Sequence, residues 1–299
     1  MKLLKNVLAL MLLFSMLLSV ISCDNDKDGE KEPPENLVTV TVKNPLGKPM
    51  PGITVFIHED AGEDYNVCME PLTTDEGGKI SVVLDPEKAY SLQIMQCPKV
   101  YKAKSGATPS ERYSLSEKNV DVVLEFSDGY APESYSLGDY AADFSLTDIE
   151  GNEYRLSELL KTKKAVMLNF WYNGCYYCEL EFPSLNTAYG SYKDKLEILA
   201  INDFYGNSLY QVENFESQKN IKLDMPLFKV ESDAELSISR IKTGGPQGWP
   251  TTVIIDRYGV VSFIHAGAVT SVDAWSALFD YFVSDSYSGA AVGDIRDVI

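Results

Sequence analysis

Cys175 and Cys178 stand three residues apart in Trp171-Tyr-Asn-Gly-Cys-Tyr-Tyr-Cys-Glu-Leu-Glu-Phe-Pro183, a spacing that suits thiol–disulfide exchange. The preceding run AVMLNFW (165–171) is apolar throughout, as a strand buried on both faces is, and a helical stretch from 175 to about 193 follows. Cys175 then opens a helix, where unpaired N–H groups and the positive end of the dipole stabilise a thiolate. Cys178 lies one turn later on the same face, close enough for a disulfide and less exposed. An exposed attacker beside a buried resolver is what exchange requires. The same spacing could also be half of a zinc site, but the remaining pair, Cys68 and Cys97, lies in a separate domain. Glu181, three residues after Cys178, shares its helical face; a partly buried carboxylate there has a raised pKa and can act as a base. Glu179 reads as a solvated residue of the first helical turn, and Pro183 is expected to kink the helix.

The elements around this motif alternate in type. Strand LEILAIN (196–202) is followed by a helix over 208–220, strand MPLFKV (225–230) and a short helix over 234–241. Strand TTVIID (251–256), the turn RYG, strand VVSFIHA (260–266) and a helix over 272–283 complete the half. Residues 143–159 add a hairpin and a helical turn. This order describes an α/β domain with a mixed central sheet flanked by helices, over 138–285, followed by a C-terminal tail at 286–299.

Residues 37–127 read differently. LVTVTV (37–42) alternates with period two, and further short strands are punctuated by Gly/Pro turns such as NPLGKPMPG (44–52). That pattern describes an all-β sandwich. Cys68 and Cys97 fall within it and are expected to form a structural disulfide worth about 3 kcal/mol, the alternative being two buried thiols. His58, among acids, reads as a surface histidine. The stretch 128–137 is a linker in which Tyr130 and Tyr135 could pack on either side.

The 299 residues carry 44 Asp+Glu against 26 Lys+Arg, a formal charge of −18 that argues against a nucleic-acid partner. With only His58 and His265, a histidine-rich metal centre is not expected. Lys2 and Lys5 precede an apolar run (7–21) too short to span a bilayer, which reads as a secretory signal. Ser22-Cys23 at its end resembles the lipobox of bacterial lipoproteins, so residues 1–22 would be the signal and Cys23 the lipidated N-terminus. Residues 23–36 form an acidic, proline-containing tether. A plain signal peptide with an incidental cysteine is the alternative. Either way the protein is placed outside the cytosol; with the lipid anchor it is expected in the cell envelope, on the periplasmic side or the outer-membrane surface.

Two resemblances extend this reading. The phrases GKPMPGITV and TDEGGKIS resemble the carboxypeptidase regulatory-like, transthyretin-like family, which implies a non-catalytic spacer or docking module. Residues 138–283 resemble the TlpA-like branch of the thioredoxin superfamily through GDYAADFSLTD, LSEL, LNFW, CxxC, ELEFP, LAIN and WPTTVIID. That family consists of membrane-tethered extracytoplasmic thiol–disulfide oxidoreductases. The resemblance implies catalytic roles for Cys175, Cys178 and Glu181, and a cis-Pro250. It also implies a substrate-binding surface that includes Trp249, Pro250 and Trp171. Asn169 takes the place of a buried aspartate in thioredoxin. Gly174, Ala142 and the Tyr176-Tyr177 pair depart from the family pattern. No cofactor is implied beyond the redox-active disulfide. The implied partners are exported proteins bearing disulfides, apocytochrome c among them, and a membrane thiol as electron donor. The rival readings are a peroxiredoxin-like peroxidase, for which WYNGC lacks the upstream Thr, Pro and stabilising Arg, and a redox-inactive docking or adhesion lipoprotein.

Overall fold

In the computed structural model the described residues are 34–60, 66–130, 132–230, 248–289 and 291–293. The signal, Cys23, most of the tether, the helix expected over 234–241 and the last six residues lie outside them.

The first strands are β1 (Leu37–Lys43), β2 (Thr54–Asp60), β3 (Asn66–Cys68), β4 (Leu72–Thr73), β5 (Lys79–Val83) and β6 (Tyr90–Gln96). They are followed by β7 (Tyr101–Lys102), β8 (Tyr113–Ser114), β9 (Asn119–Val123) and β10 (Glu125–Phe126). One sheet runs β5-β1-β9; a second runs β3-β2-β6-β8, with β4 also on β2. Alternation along β1 buries Val38, Val40 and Val42 and leaves the threonines half-exposed. These valines share one core with Val55, Ile57 and Leu92 of the other sheet.

The register rules out the expected Cys68–Cys97 disulfide. β3 and β6 flank β2 on opposite sides, with Cys68 opposite His58 and Gln96 opposite Thr54. Two strand spacings plus four residues of strand put the two cysteines far beyond the ~7 Å Cα limit for a bridge. Cys97 is a free, half-buried thiol 3.6 Å from the Tyr101 carbonyl, and burial pushes its pKa up. His58 is also not at the surface: it is buried, with Nε2 3.0 Å from Gln93 Oε1.

The second half contains β11 (Ser145–Thr147), β12 (Glu153–Arg155), α1 (Leu156–Thr162), β13 (Ala165–Trp171), α2 (Tyr176–Tyr189) and β14 (Leu196–Asn202). After them come α3 (Leu209–Glu213), α4 (Phe215–Lys219), β15 (Leu227–Lys229), β16 (Thr251–Asp256), β17 (Val261–Ala266) and α5 (Val272–Val283). The sheet order is β15-β14-β13-β16-β17, parallel from β13 through β15 and antiparallel at β16 and β17. Alternation along β13 sends Val166, Leu168 and Phe170 to the face covered by α1. Ala165, Met167 and Trp171 go to the face covered by α2 and α5, and Asn169 shares their parity.

Several boundaries differ from expectation, and β15 covers only Leu227–Lys229 of the strand expected over 225–230. The helix expected over 208–220 is two short helices that part at Asn214, where φ −99° and ψ 5° leave the helical range. α2 ends at Tyr189 rather than near 193, and it runs through Pro183. The tail is packed at its start: Tyr287 and Val292 are buried, and the Tyr287 hydroxyl donates to Asp256 Oδ2 at 2.7 Å. Within the linker, Tyr130 packs on the sandwich core and Tyr135 on the α/β core.

Among the described residues the sandwich meets the α/β sheet beside the β16–β17 turn. Asn44 Nδ2 donates to the Tyr258 carbonyl at 2.9 Å, Leu46 packs on the α/β core, and the ring of Tyr140, a residue bridged to Val260, meets Tyr101 of the sandwich at 5.4 Å. These contacts sit at the β16–β17 turn. Asp256, at its start, pairs with Ala165, the first residue of β13, whereas the cysteines follow the other end of that strand. The six residues of β16 therefore place the sandwich contact about 20 Å from the cysteine-bearing pole.

Candidate active site: a disulfide at the head of helix α2

Cys175 is the N-cap of α2, with φ −76° and ψ 102°, and its Sγ accepts from the Cys178 N–H at 3.1 Å. The sulfur thus already occupies the place of the capping side-chain oxygen, facing the first turn's unpaired donors. The two cysteines are joined as a disulfide with a Cα–Cα distance of 5.3 Å. In this state the expected contrast in exposure is small: Cys175 is 3% exposed and Cys178 0%. Gly174, just before the pair, has φ +93°, a conformation that side-chain-bearing residues rarely adopt. That accounts for glycine here in place of the family's tryptophan.

Glu181 is fully buried one turn beyond Cys178. Asn169 Nδ2 donates to its Oε1 at 2.7 Å and the Val269 N–H to its Oε2 at 2.9 Å. Burial outweighs these two bonds and pushes its pKa up to about 7. The Val269 carbonyl accepts from Ser184 Oγ at 2.9 Å and from Trp275 Nε1 at 3.0 Å, so α2 and α5 both hold the loop that donates to Glu181. Sequence reasoning identified Glu181 and Asn169 but missed Ser184, Val269 and Trp275. Val269 and Trp275 lie more than eighty residues from Glu181, a separation that leaves no spacing signal.

The Trp249–Pro250 bond is cis. Trp249 Nε1 donates to Asp203 Oδ1 at 2.7 Å, and its ring meets Tyr172 edge-on at 5.3 Å and Phe204 at 5.9 Å. Thr251 pairs with Phe170, which puts this loop at the same pole as the cysteines. Trp171 does not join that surface. It is fully buried, its ring 5.4 Å from Phe182 and 4.5 Å from Phe215, because its parity in β13 turns it under α2. Its expected contact with substrate is therefore withdrawn; the half-exposed Tyr172 takes the outward position.

A mixed five-stranded sheet with a disulfide heading its main helix, a cis-proline loop at the same pole and a buried carboxylate behind the second cysteine defines a thioredoxin-like redox domain. Residues 137–264 match the AhpC/TSA family. Thiol-disulfide oxidoreductase ResA of Geobacillus kaustophilus is 38% identical over 139 residues, 46% of this chain and 74% of that protein. Thioredoxin-like protein YneN of Bacillus subtilis is 32% identical over 134 residues, 44% of this chain and 73% of that protein. Among solved structures, the exposed lipoprotein thioredoxin Etrx1 of Streptococcus pneumoniae is 24% identical with a TM-score of 0.39, covering 46% of this chain and 98% of its own. The chain belongs to the ResA-like family of thiol–disulfide oxidoreductases.

Proposed function

We propose that the protein is a lipid-anchored, extracytoplasmic reductase that acts on disulfides of exported proteins through Cys175 and Cys178. The observation that supports this most is the bonded pair at the N-cap of α2 with a buried carboxylate one turn on. In the reduced protein, Cys175 thiolate attacks a client disulfide; one client sulfur leaves as thiolate and a mixed disulfide forms. Cys178, giving its proton to Glu181, then attacks Cys175 Sγ and releases the second client thiolate. Two electrons pass from the protein dithiol to the client, and Cys175–Cys178 is left oxidised. The two sulfurs carry those electrons, so the reading requires no redox cofactor. A membrane thiol carrier reduces the pair again, and apocytochrome c is one client class.

Cys23 serves as the lipid anchor and the acidic segment after it as tether. The regulatory-like sandwich is a non-catalytic spacer; its docking at the far pole of the sheet supports that role and leaves the cysteine-bearing pole clear of it. No nucleic acid takes part.

Two readouts on cells test this reading. Membrane fractionation should find the wild-type protein in the envelope and Cys23→Ala released from it. Acid-quenched alkylation should find Cys175 and Cys178 mostly reduced during growth. A predominantly oxidised pair would reverse the electron flow, and unchanged membrane association of Cys23→Ala would remove the anchor.

A further inference from the structure

Eleven large hydrophobic side chains are exposed among the described residues, and six of them fall in two short stretches at the cysteine-bearing pole. Tyr176, Tyr177 and Leu180 come from the head of α2; Tyr205, Leu209 and Tyr210 come from the loop after β14 and from α3. Their exposure is high: 68% for Tyr176, 60% for Tyr177, 94% for Tyr205 and 68% for Tyr210. Clustered apolar surface of this kind marks an interaction site.

The two stretches are fastened to each other. Asn207 Oδ1 accepts from the Asn173 backbone N–H at 2.8 Å and from Asn202 Nδ2 at 3.1 Å. Asn173 Nδ2 donates to the Gln211 carbonyl at 2.8 Å, and Ser208 closes a capping box on α3. The tyrosines of α3 and its preceding loop are thus held in register with the residues that lead into Cys175.

Charge narrows the partner. Residues 172–181 and 202–213 contain neither Lys nor Arg, and apart from the buried Glu181 their acids are Glu179, Asp203 and Glu213. Lys219 is ion-paired with Glu179 at 2.7 Å, and Lys229 donates to the Phe204 and Val230 carbonyls. Glu213 is exposed and lies on the same side of α3 as Leu209 and Tyr210, four and three residues back. Tyrosine faces beside carboxylates attract ammonium and guanidinium groups, and the net charge of −18 draws cationic partners toward the molecule.

We infer that this pole docks extended cysteine-bearing segments flanked by Lys or Arg, and that this surface, rather than the sandwich some 20 Å away, selects clients. The inference deepens the reductase reading and rests on it.

The test is single-turnover reduction by pre-reduced full-length protein, freed of reductant. Its substrates are two peptides with one disulfide core and either Lys or Glu flanks, with hydroxyethyl disulfide as a small neutral control. The second-order rate constant should be about tenfold higher for the Lys peptide at low salt, the factor that two or three exposed cation–π contacts supply. The ratio should shrink toward one near 0.5 M salt, where charges are screened. The combined variant Tyr205→Ser, Tyr210→Ser and Glu213→Gln should bring the ratio below about threefold. Equal rates for both peptides alongside turnover of the small disulfide would overturn the docking inference alone, as would a variant that keeps the wild-type ratio. Failure to reduce any of the three disulfides would instead overturn the reductase reading beneath it.

Discussion

Cys178→Ser should stop the reaction after a single attack, with the client held on Cys175 as a stable mixed disulfide. The expectation follows from the geometry at the head of α2. Cys175 caps the helix, and its sulfur faces the Cys178 N–H, so the stabilisation of its thiolate does not depend on the Cys178 side chain. The first exchange therefore survives the substitution. The second requires a sulfur within bonding reach of Cys175, and among the described residues the only such thiol belongs to Cys178. The free thiol at Cys97 sits in the other domain, whose contact with the sheet is at the opposite pole. Multiple turnover should fall on the order of a thousandfold, as expected when one member of an interdependent pair is lost. A one-to-one adduct should be visible by intact mass under non-reducing conditions. Cys175→Ser should lose turnover to a similar degree and form no adduct. Turnover at the wild-type rate by Cys178→Ser would mean that another sulfur resolves the mixed disulfide.

Glu181→Gln should slow the resolving step on the order of a hundredfold near neutral pH and remove an inflection near pH 7 from its pH profile. Two donors, from Asn169 and Val269, favour the carboxylate form, but desolvation is larger and favours the acid. A group with pKa about 7 is poised to take the Cys178 proton at neutral pH and return it. The same shift has a consequence for stability. From about pH 4.5, where an unperturbed glutamate ionises, up to about 7, the folded protein holds a proton that the unfolded chain has released. Stability therefore falls as pH rises through that window, by roughly 3 kcal/mol in total, and levels off above it. Buried Asp256, also raised by desolvation, contributes in the same direction. Glu181→Gln should flatten this slope in urea unfolding measured between pH 4.5 and 8. A variant that keeps both the kinetic inflection and the stability slope would assign the pH-7 group elsewhere.

The strands of the redox domain were legible because burial on both faces leaves an uninterrupted apolar run. AVMLNFW, LEILAIN and TTVIID coincide with β13, β14 and β16 to the residue. Cys175, Cys178 and Glu181 could be placed together because one helix carries all three. Contacts that close between elements could not be read in this way. The Val269 and Trp275 support behind Glu181, and the Asn173–Asn202–Asn207 cluster that fastens α3 to the cysteine loop, join residues whose spacing carries no period. Burial on both faces of β13 decided the case of Trp171: the family resemblance implied a substrate surface, yet its place in that strand puts it in the core. Strand order decided that of Cys68 and Cys97. Their place within one sandwich suggested a bridge, and the intervening β2 separates them.

The most direct test of the central claim is a redox titration of the full-length protein, following Cys175 and Cys178 by alkylation and mass. One reversible two-electron transition is predicted, with both cysteines changing together at a potential near that of thioredoxin, about −270 mV. Labelling of the two cysteines that does not change with potential would contradict the account.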